Sequence, residues 1–355
     1  MICLLSLFTI LSLCFSFRTS EMSSNLSAEY DAEYDYSVLT QQILEKTEYL
    51  KLIGMLYKVT YLFICVVGVA LNFYVIIAGV RKFRSHRSPS VWEQHTCAWV
   101  LALAVTHLVF SGFLVLQFLY AWWHFNWHYG AALCKISSYV FYFSMFSTAA
   151  LLSLMSMSSC VGSSECFKGV RFNKQGKSMV ILMVLSSWTF GAVLSSPSLF
   201  SRELRYTELG LQCIDDFDLD KEKTTGDGLA KLTTVVLSRF LLGVLFPLFL
   251  MIISACIARL RGVHKKGTCH KIALVVKVCY FICWAPLLSM LLVQVKEGNI
   301  KKIKYGLPAA TVLAAAHCFI NPVIYLLVGR KTNMAWMLEI PDHKTKVSQN
   351  EDIEL

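Results

Sequence analysis

Charge is what this chain has least of: only 16% of its 355 residues are Asp, Glu, Lys or Arg, against 56% hydrophobic. Soluble domains carry about 25% charged residues, so this composition excludes an ordinary water-soluble globule. Absent too are a phosphate-cradling glycine loop, a nucleophile–base set and a metal-ligand spacing, which argues against an enzyme and implies no cofactor and no metal. There is no internal repeat or interrupted pair of apolar runs, which counts against a transporter or channel. Carboxylates are in the minority, 23 against 33 Lys and Arg, for a net charge of +10.

What is present is seven long apolar runs. About 20 apolar residues are needed for a helix to cross ~30 Å of hydrocarbon with every backbone group bonded internally. Runs centred on residues 56–80, 95–119, 131–161, 178–199, 231–260, 272–295 and 303–328 meet that length. Their connections are short, which makes successive spans antiparallel neighbours and leaves no room for a soluble domain. The expected fold is therefore all-α, a seven-transmembrane helix bundle forming one domain over residues 56–328.

Basic residues near span ends mark the cytoplasmic side. They cluster in alternate loops: Arg81, Lys82, Arg84 and Arg87; Lys168, Arg171, Lys174 and Lys177; Arg259, Arg261, Lys265 and Lys266; then Arg330 and Lys331. This predicts a multi-pass plasma-membrane protein with its N-terminus extracellular and its C-terminus cytoplasmic. Lys296, Lys301, Lys302 and Lys304 break the trend on the outer side, as a surface feature or a contact for acidic ligands. The positive balance thus reads as membrane topology and contact with lipid, with no nucleic-acid partner.

Residues 1–21 read as a signal peptide or a misassigned start, since Met22 can itself begin a chain. Residues 22–55 form an acidic extracellular arm with a glycosylation acceptor at Asn25. Tyr30, Tyr34 and Tyr36 stand among carboxylates, a setting for tyrosine sulfation or simply a solvated arm. Residues 329–355 make a short cytoplasmic tail, whose segment 330–340 suits an amphipathic eighth helix on the inner leaflet. It has no cysteine, and Thr332, Thr345 and Ser348 are its few phosphorylation sites, so arrestin recruitment is expected to be weak. Most of the 13 cysteines lie inside spans as small apolar groups. Cys134, at the outer end of the third span, and Cys213, in the loop before the fifth, both face the oxidising side and are expected to form one bridge. Cys160, Cys166 and Cys269 face the reducing side.

Several spans carry punctuation. Asn72, after Gly68, places an amide deep in the first span, where it must bond to a neighbouring helix. Trp188 lies mid-span in the fourth, and Pro247 should kink or loosen the fifth. Cys283-Trp284-Ala285-Pro286 makes a hinge in the sixth, with Trp284 free to rock at a cavity floor. Asn321-Pro322-Val323-Ile324-Tyr325 closes the seventh. Any one of these is compatible with packing alone. Together, in this order, they resemble the rhodopsin-like (class A) G-protein-coupled receptors over residues 56–338. Within that class the chain is most similar to the chemoattractant group of formyl-peptide, anaphylatoxin and chemerin (chemokine-like) receptors. Tyr129 to Ser137, Leu194 to Leu199, Arg239 to Gly243, Gly306 to Thr311 and the acidic tyrosine-rich arm look most like a chemerin receptor.

The resemblance implies an extracellular chemerin-like peptide or protein ligand, a heterotrimeric G protein of Gi type, arrestin, and roles in chemotaxis and the inflammatory response. Its ligand contacts would be Arg239, Arg202, Trp284, Gln294 and Trp127. Arg239 stands out physically, because a guanidinium within a span is costly and its planar fork matches a carboxylate. An internal salt bridge is the competing reading, disfavoured here because the spans offer almost no carboxylate. Tyr120, Trp122, Trp123 and Phe125 read as an interfacial aromatic belt or a cavity lining, and Trp127 as structural.

Departures from the family are equally informative. Where it keeps an acidic residue, an arginine and an aromatic or cysteine, this chain has Ser158-Ser159-Cys160. The tyrosine low in the fifth span is Ala255, which leaves Tyr325 alone of the activation switch. The sodium-site carboxylate is His107 and its supporting asparagine is His317, beside Thr148 and Asn321. An imidazole cannot serve as a hard cation's ligand, so no allosteric sodium site is expected. The two histidines could form a hydrogen-bonded pair, a pH-sensitive element or half a metal site, with satisfaction by ordinary neighbours favoured. Two functions follow from the resemblance: a signalling chemoattractant receptor, or an atypical decoy that binds without activating G proteins.

Overall fold

The computed structural model describes residues 31–84, 91–161, 174–207, 210–217, 226–260, 268–297 and 301–329. Among them are seven helices long and apolar enough to cross a membrane: Thr47–Arg81, Cys97–Trp122, Gly130–Ser158, Ser178–Ser201, Gly226–Leu260, Lys271–Lys296 and Gly306–Leu327. These coincide with the seven apolar runs. The first helix runs unbroken over Asp31–Arg84, 54 residues, so the end of the arm continues the first span as helix.

The third and seventh spans are the most enclosed, while the first, fourth and fifth turn most side chains outward. The outward faces are apolar, with Leu62, Val66, Ile181, Leu182, Phe249 and Ile252 exposed, as a lipid-facing surface must be. Inside, Phe110, Met145, Phe146, Leu151, Tyr280, Trp284 and Leu288 are buried as one core.

Prolines shape this bundle, because each removes an amide donor and frees the carbonyl four residues earlier. Pro322 frees Cys318 O, which accepts a bond from Asn72 Nδ2 at 3.0 Å; the same amide also donates to Gly68 O at 2.8 Å. The expected partner of Asn72 is thus the seventh span. Glycine at 68 is required by proximity, since a Cβ there would collide with the Ser111 side chain. Asn72→Ala should destabilise the protein by about 1–3 kcal/mol, through the orphaned carbonyl. Thermal unfolding in detergent checks this, and an unchanged melting temperature would show that the carbonyl finds another donor.

Pro247 likewise frees Gly243 O. The structure answers with a π-helical turn at Leu241–Leu245, and Tyr280 OH donates to Gly243 O at 2.7 Å. The loosening expected of Pro247 therefore takes the form of a wider turn that rotates the outer part of the span, Arg239 included, relative to the part below it.

Among the described residues, the one element outside the all-α expectation is a hairpin between the fourth and fifth spans. Strand β1, Arg202–Thr207, pairs antiparallel with β2, Gly210–Asp215, in a register that sets Arg202 opposite Asp215 and Leu204 opposite Cys213. Gly210 takes φ +98°, a turn conformation that side chains resist.

Candidate functional site

Cys213 on β2 is bonded to Cys134 near the start of the third span's helix. Strand alternation then aims Asp215, two residues on, toward the same side as the disulfide. Its carboxylate gathers three partners. Oδ2 accepts from Arg239 Nη1 at 3.0 Å, Oδ1 accepts from Ser201 Oγ at 2.7 Å, and Arg202 Nε lies 3.2 Å from Oδ1. Arg202 Nη1 also donates to Cys213 O at 3.0 Å.

Arg239 is 2% exposed. Besides Asp215 it donates from Nη2 to Ser198 Oγ at 3.1 Å, and its guanidinium lies 3.8 Å over the Tyr142 ring, a cation–π contact. Burial opposes ionisation of Asp215, yet the charges of Arg202 and Arg239 outweigh it and hold the carboxyl well below the usual carboxylate range. This corrects the premise on which a salt bridge is disfavoured from sequence: the spans supply almost no carboxylate, but the hairpin supplies Asp215. Arg239 and Arg202 are brought together around it.

The rest of the hairpin is fastened to the helices. Trp127 N donates to Leu211 O at 2.7 Å and Leu211 N to Asn126 Oδ1 at 2.9 Å, while Lys135 Nζ pairs with Glu203 at 2.6 Å and Arg205 with Asp216. Trp127 Nε1 donates to Gly130 O at 2.9 Å, so this residue is a buried strut under β2. Trp122 and Trp123 are exposed, and Lys58 sits over the Trp122 ring.

Below this cap, Trp284 is fully buried, edge-on to Phe141 at 5.0 Å and to His317 at 5.8 Å between ring centroids. Pro286 lies within the same helix, and Gln294, further along, is half-buried. His107 and His317 meet edge to face with centroids 4.5 Å apart. They are not hydrogen-bonded to each other. His107 Nε2 lies 3.3 Å from Thr148 Oγ1, whereas neither ring nitrogen of His317 nor either amide atom of Asn321 has a partner. Satisfaction by neighbours, favoured from sequence, is thus met for one histidine nitrogen and not for the other histidine.

At the far end, Ser158 Oγ turns back onto Met155 O at 3.1 Å. Ala255 is exposed and Tyr325 buried. The side chains of Ser159, Cys160, Tyr34 and Tyr36 lie outside the description, as do Asn25, Tyr30, Cys166 and the tail from Arg330. Sequence reasoning missed Asp215, Ser198, Ser201, Tyr142 and Tyr280. For Asp215 a signal exists, since a residue two beyond a bridged cysteine on a strand points where the cysteine points.

A disulfide-anchored hairpin capping a bundle with seven membrane-length helices among the described residues is the architecture of a seven-helix membrane receptor. The family described as 7 transmembrane receptor (rhodopsin family) matches residues 71–325, and the chain belongs to it. It is a multi-pass receptor of the plasma membrane and not an enzyme. The chain is similar to chemerin-like receptor 1 of Sus scrofa, 27% identical over 291 residues covering 77% of this chain and 76% of that one. It is similar to human chemerin-like receptor 1, again 27% over 291 residues, covering 77% and 74%. Human chemerin-like receptor 2 is 24% identical over 313 residues, covering 85% and 83%.

Proposed function

We propose that this chain is a cell-surface receptor for an extracellular chemerin-like chemoattractant peptide or protein, which enters at the hairpin end and signals by rearranging the fifth, sixth and seventh spans. The observation that carries this reading is the disulfide-anchored hairpin at one end of the bundle, which gathers Arg202 and Arg239 next to Tyr142, the neighbour of the Phe141 that packs on Trp284. A buried arginine in a membrane helix is expensive unless it serves recognition or pairing. The relatives' name supplies the ligand class. The hairpin end is taken as extracellular because its disulfide requires an oxidising compartment, and the helices that end in Arg81 to Arg84 and at Arg259 do so at the opposite end. A ligand that favours an open arrangement about Pro286 and Pro322 shifts the population by its differential affinity for the two states. The downstream partners are a G protein of Gi type and arrestin.

A second reading is a decoy receptor that binds and internalises its ligand silently. Ser158-Ser159-Cys160 favours it, since no cation stands there to meet a G protein and Ala255 offers Tyr325 no hydroxyl partner.

One experiment separates the two: G-protein activation by a chemerin C-terminal peptide in the native chain and in a Ser158→Asp, Ser159→Arg, Ala255→Tyr variant at equal surface density. Activation by the native chain is the expected result and sinks the decoy reading. A response confined to the variant would overturn signalling while keeping the ligand, and silence in both would remove the chemerin assignment.

A further inference from the structure

We infer that Asp215 is a built-in occupant of this receptor's carboxylate site and thereby sets its ligand specificity: the arginine pair is already answered by the chain's own side chain. The inference rests on the reading that a peptide binds at the hairpin end.

The geometry is that of a bound carboxylate. Asp215 receives one hydrogen bond from Arg239 and one from Ser201, with Arg202 at 3.2 Å. An aspartate side chain is chemically a tethered acetate, so these contacts are what an external carboxylate would have to reproduce. The tether is short and rigid. Arg202 and Asp215 face each other across the β1–β2 pair, Asp216 N donates to Ser201 O at 2.7 Å, and the strand is anchored at Cys213. A group so tethered acts at an effective concentration on the order of millimolar or more, whereas a free peptide competes at its own far lower concentration.

Neighbouring charges do not change the tally. Among the described residues, Lys135 is matched with Glu203 and Arg205 with Asp216, and Asp215 is the carboxylate between Arg202 and Arg239. Two guanidiniums facing one carboxylate leave a single net positive charge. A ligand's terminal carboxylate gains little from a pair in which Arg239 already bonds Asp215 and Ser198 and Arg202 lies against the same carboxylate, and the native receptor should accept peptides with a blocked C-terminus nearly as well as free acids. Removing Asp215 should leave an arginine pair that demands the free acid.

Two measurements test this. The first needs no peptide: melting temperature in detergent for the native chain and for Asp215→Ala, in sodium acetate and in sodium chloride at equal ionic strength. Acetate should raise the melting temperature of Asp215→Ala above its value in chloride and leave the native chain unmoved. Equal behaviour in the two salts would overturn the inference. The second compares a chemerin C-terminal peptide as acid and as amide on the native chain, Asp215→Ala and Asp215→Asn, the last keeping size and fold if alanine does not. We expect an acid-to-amide affinity ratio near one in the native chain, rising about tenfold or more in the variants. A native ratio as large as the variants' would overturn the inference. Acetate rescue with no peptide binding to any chain would support Asp215 as occupant and remove instead the chemerin ligand class.

Discussion

Replacing Cys134 or Cys213 by Ser should remove most of the folded receptor from the cell surface, measured by antibody staining of intact against permeabilised cells. The bridge spans a sequence separation of 79 residues. Losing such a link costs about 2–5 kcal/mol in small disulfide-bonded domains. Here the local consequence adds to that. Cys213 sits in the strand that carries Asp215, so an unbridged hairpin would lose the anchor that brings the carboxylate to Arg239. A guanidinium would then remain buried without its counter-charge. The double variant Cys134→Ser, Cys213→Ser should be no better than either single change. Near-normal surface levels would mean that the strand pairing and the bonds from Trp127 and Leu211 hold the hairpin unaided.

Arg239→Gln should lower stability by about 3–5 kcal/mol, because removing one partner of a buried ion pair leaves the other charge unmatched. The loss should fall by half or more when Asp215→Asn is added, since the stranded carboxylate is then gone. A thermal-unfolding cycle over the two single variants and the double reads this coupling directly, and strictly additive losses would contradict it. The pair also fixes a pH dependence. The folded-state value for Asp215 is depressed, so its stabilising contribution is complete above the unfolded value, about 3.9, and is lost only as pH falls through the still lower folded value. Between pH 8 and pH 5 this group should contribute no slope to the melting temperature (roughly the range well above that unfolded value). In Arg239→Gln, burial of the carboxyl is opposed by less positive charge, and its loss of stability should begin at a higher pH than in the native chain.

The seven spans were legible because a membrane leaves few options. With no water to satisfy the backbone, only apolar stretches of spanning length survive, and length plus composition suffice to find them. The prolines, Asn72 and the Cys134–Cys213 pair were legible for a related reason, since each is a costly residue whose placement has few explanations. Other features were decided only by tertiary structure. The partner of Arg239 lies 24 positions away in a strand, and the donors that satisfy carbonyls freed by Pro322 and Pro247 come from distant helices, Asn72 in the first span and Tyr280 in the sixth. No period or propensity reports such pairings. The sequence by itself determined that this is a seven-helix membrane receptor with an arginine in its fifth span. Whether that arginine waits for a ligand or already holds a carboxylate depended on a hairpin register and one disulfide, because charge pairing in a low-dielectric interior is set by distances of a few ångströms that only the folded chain defines.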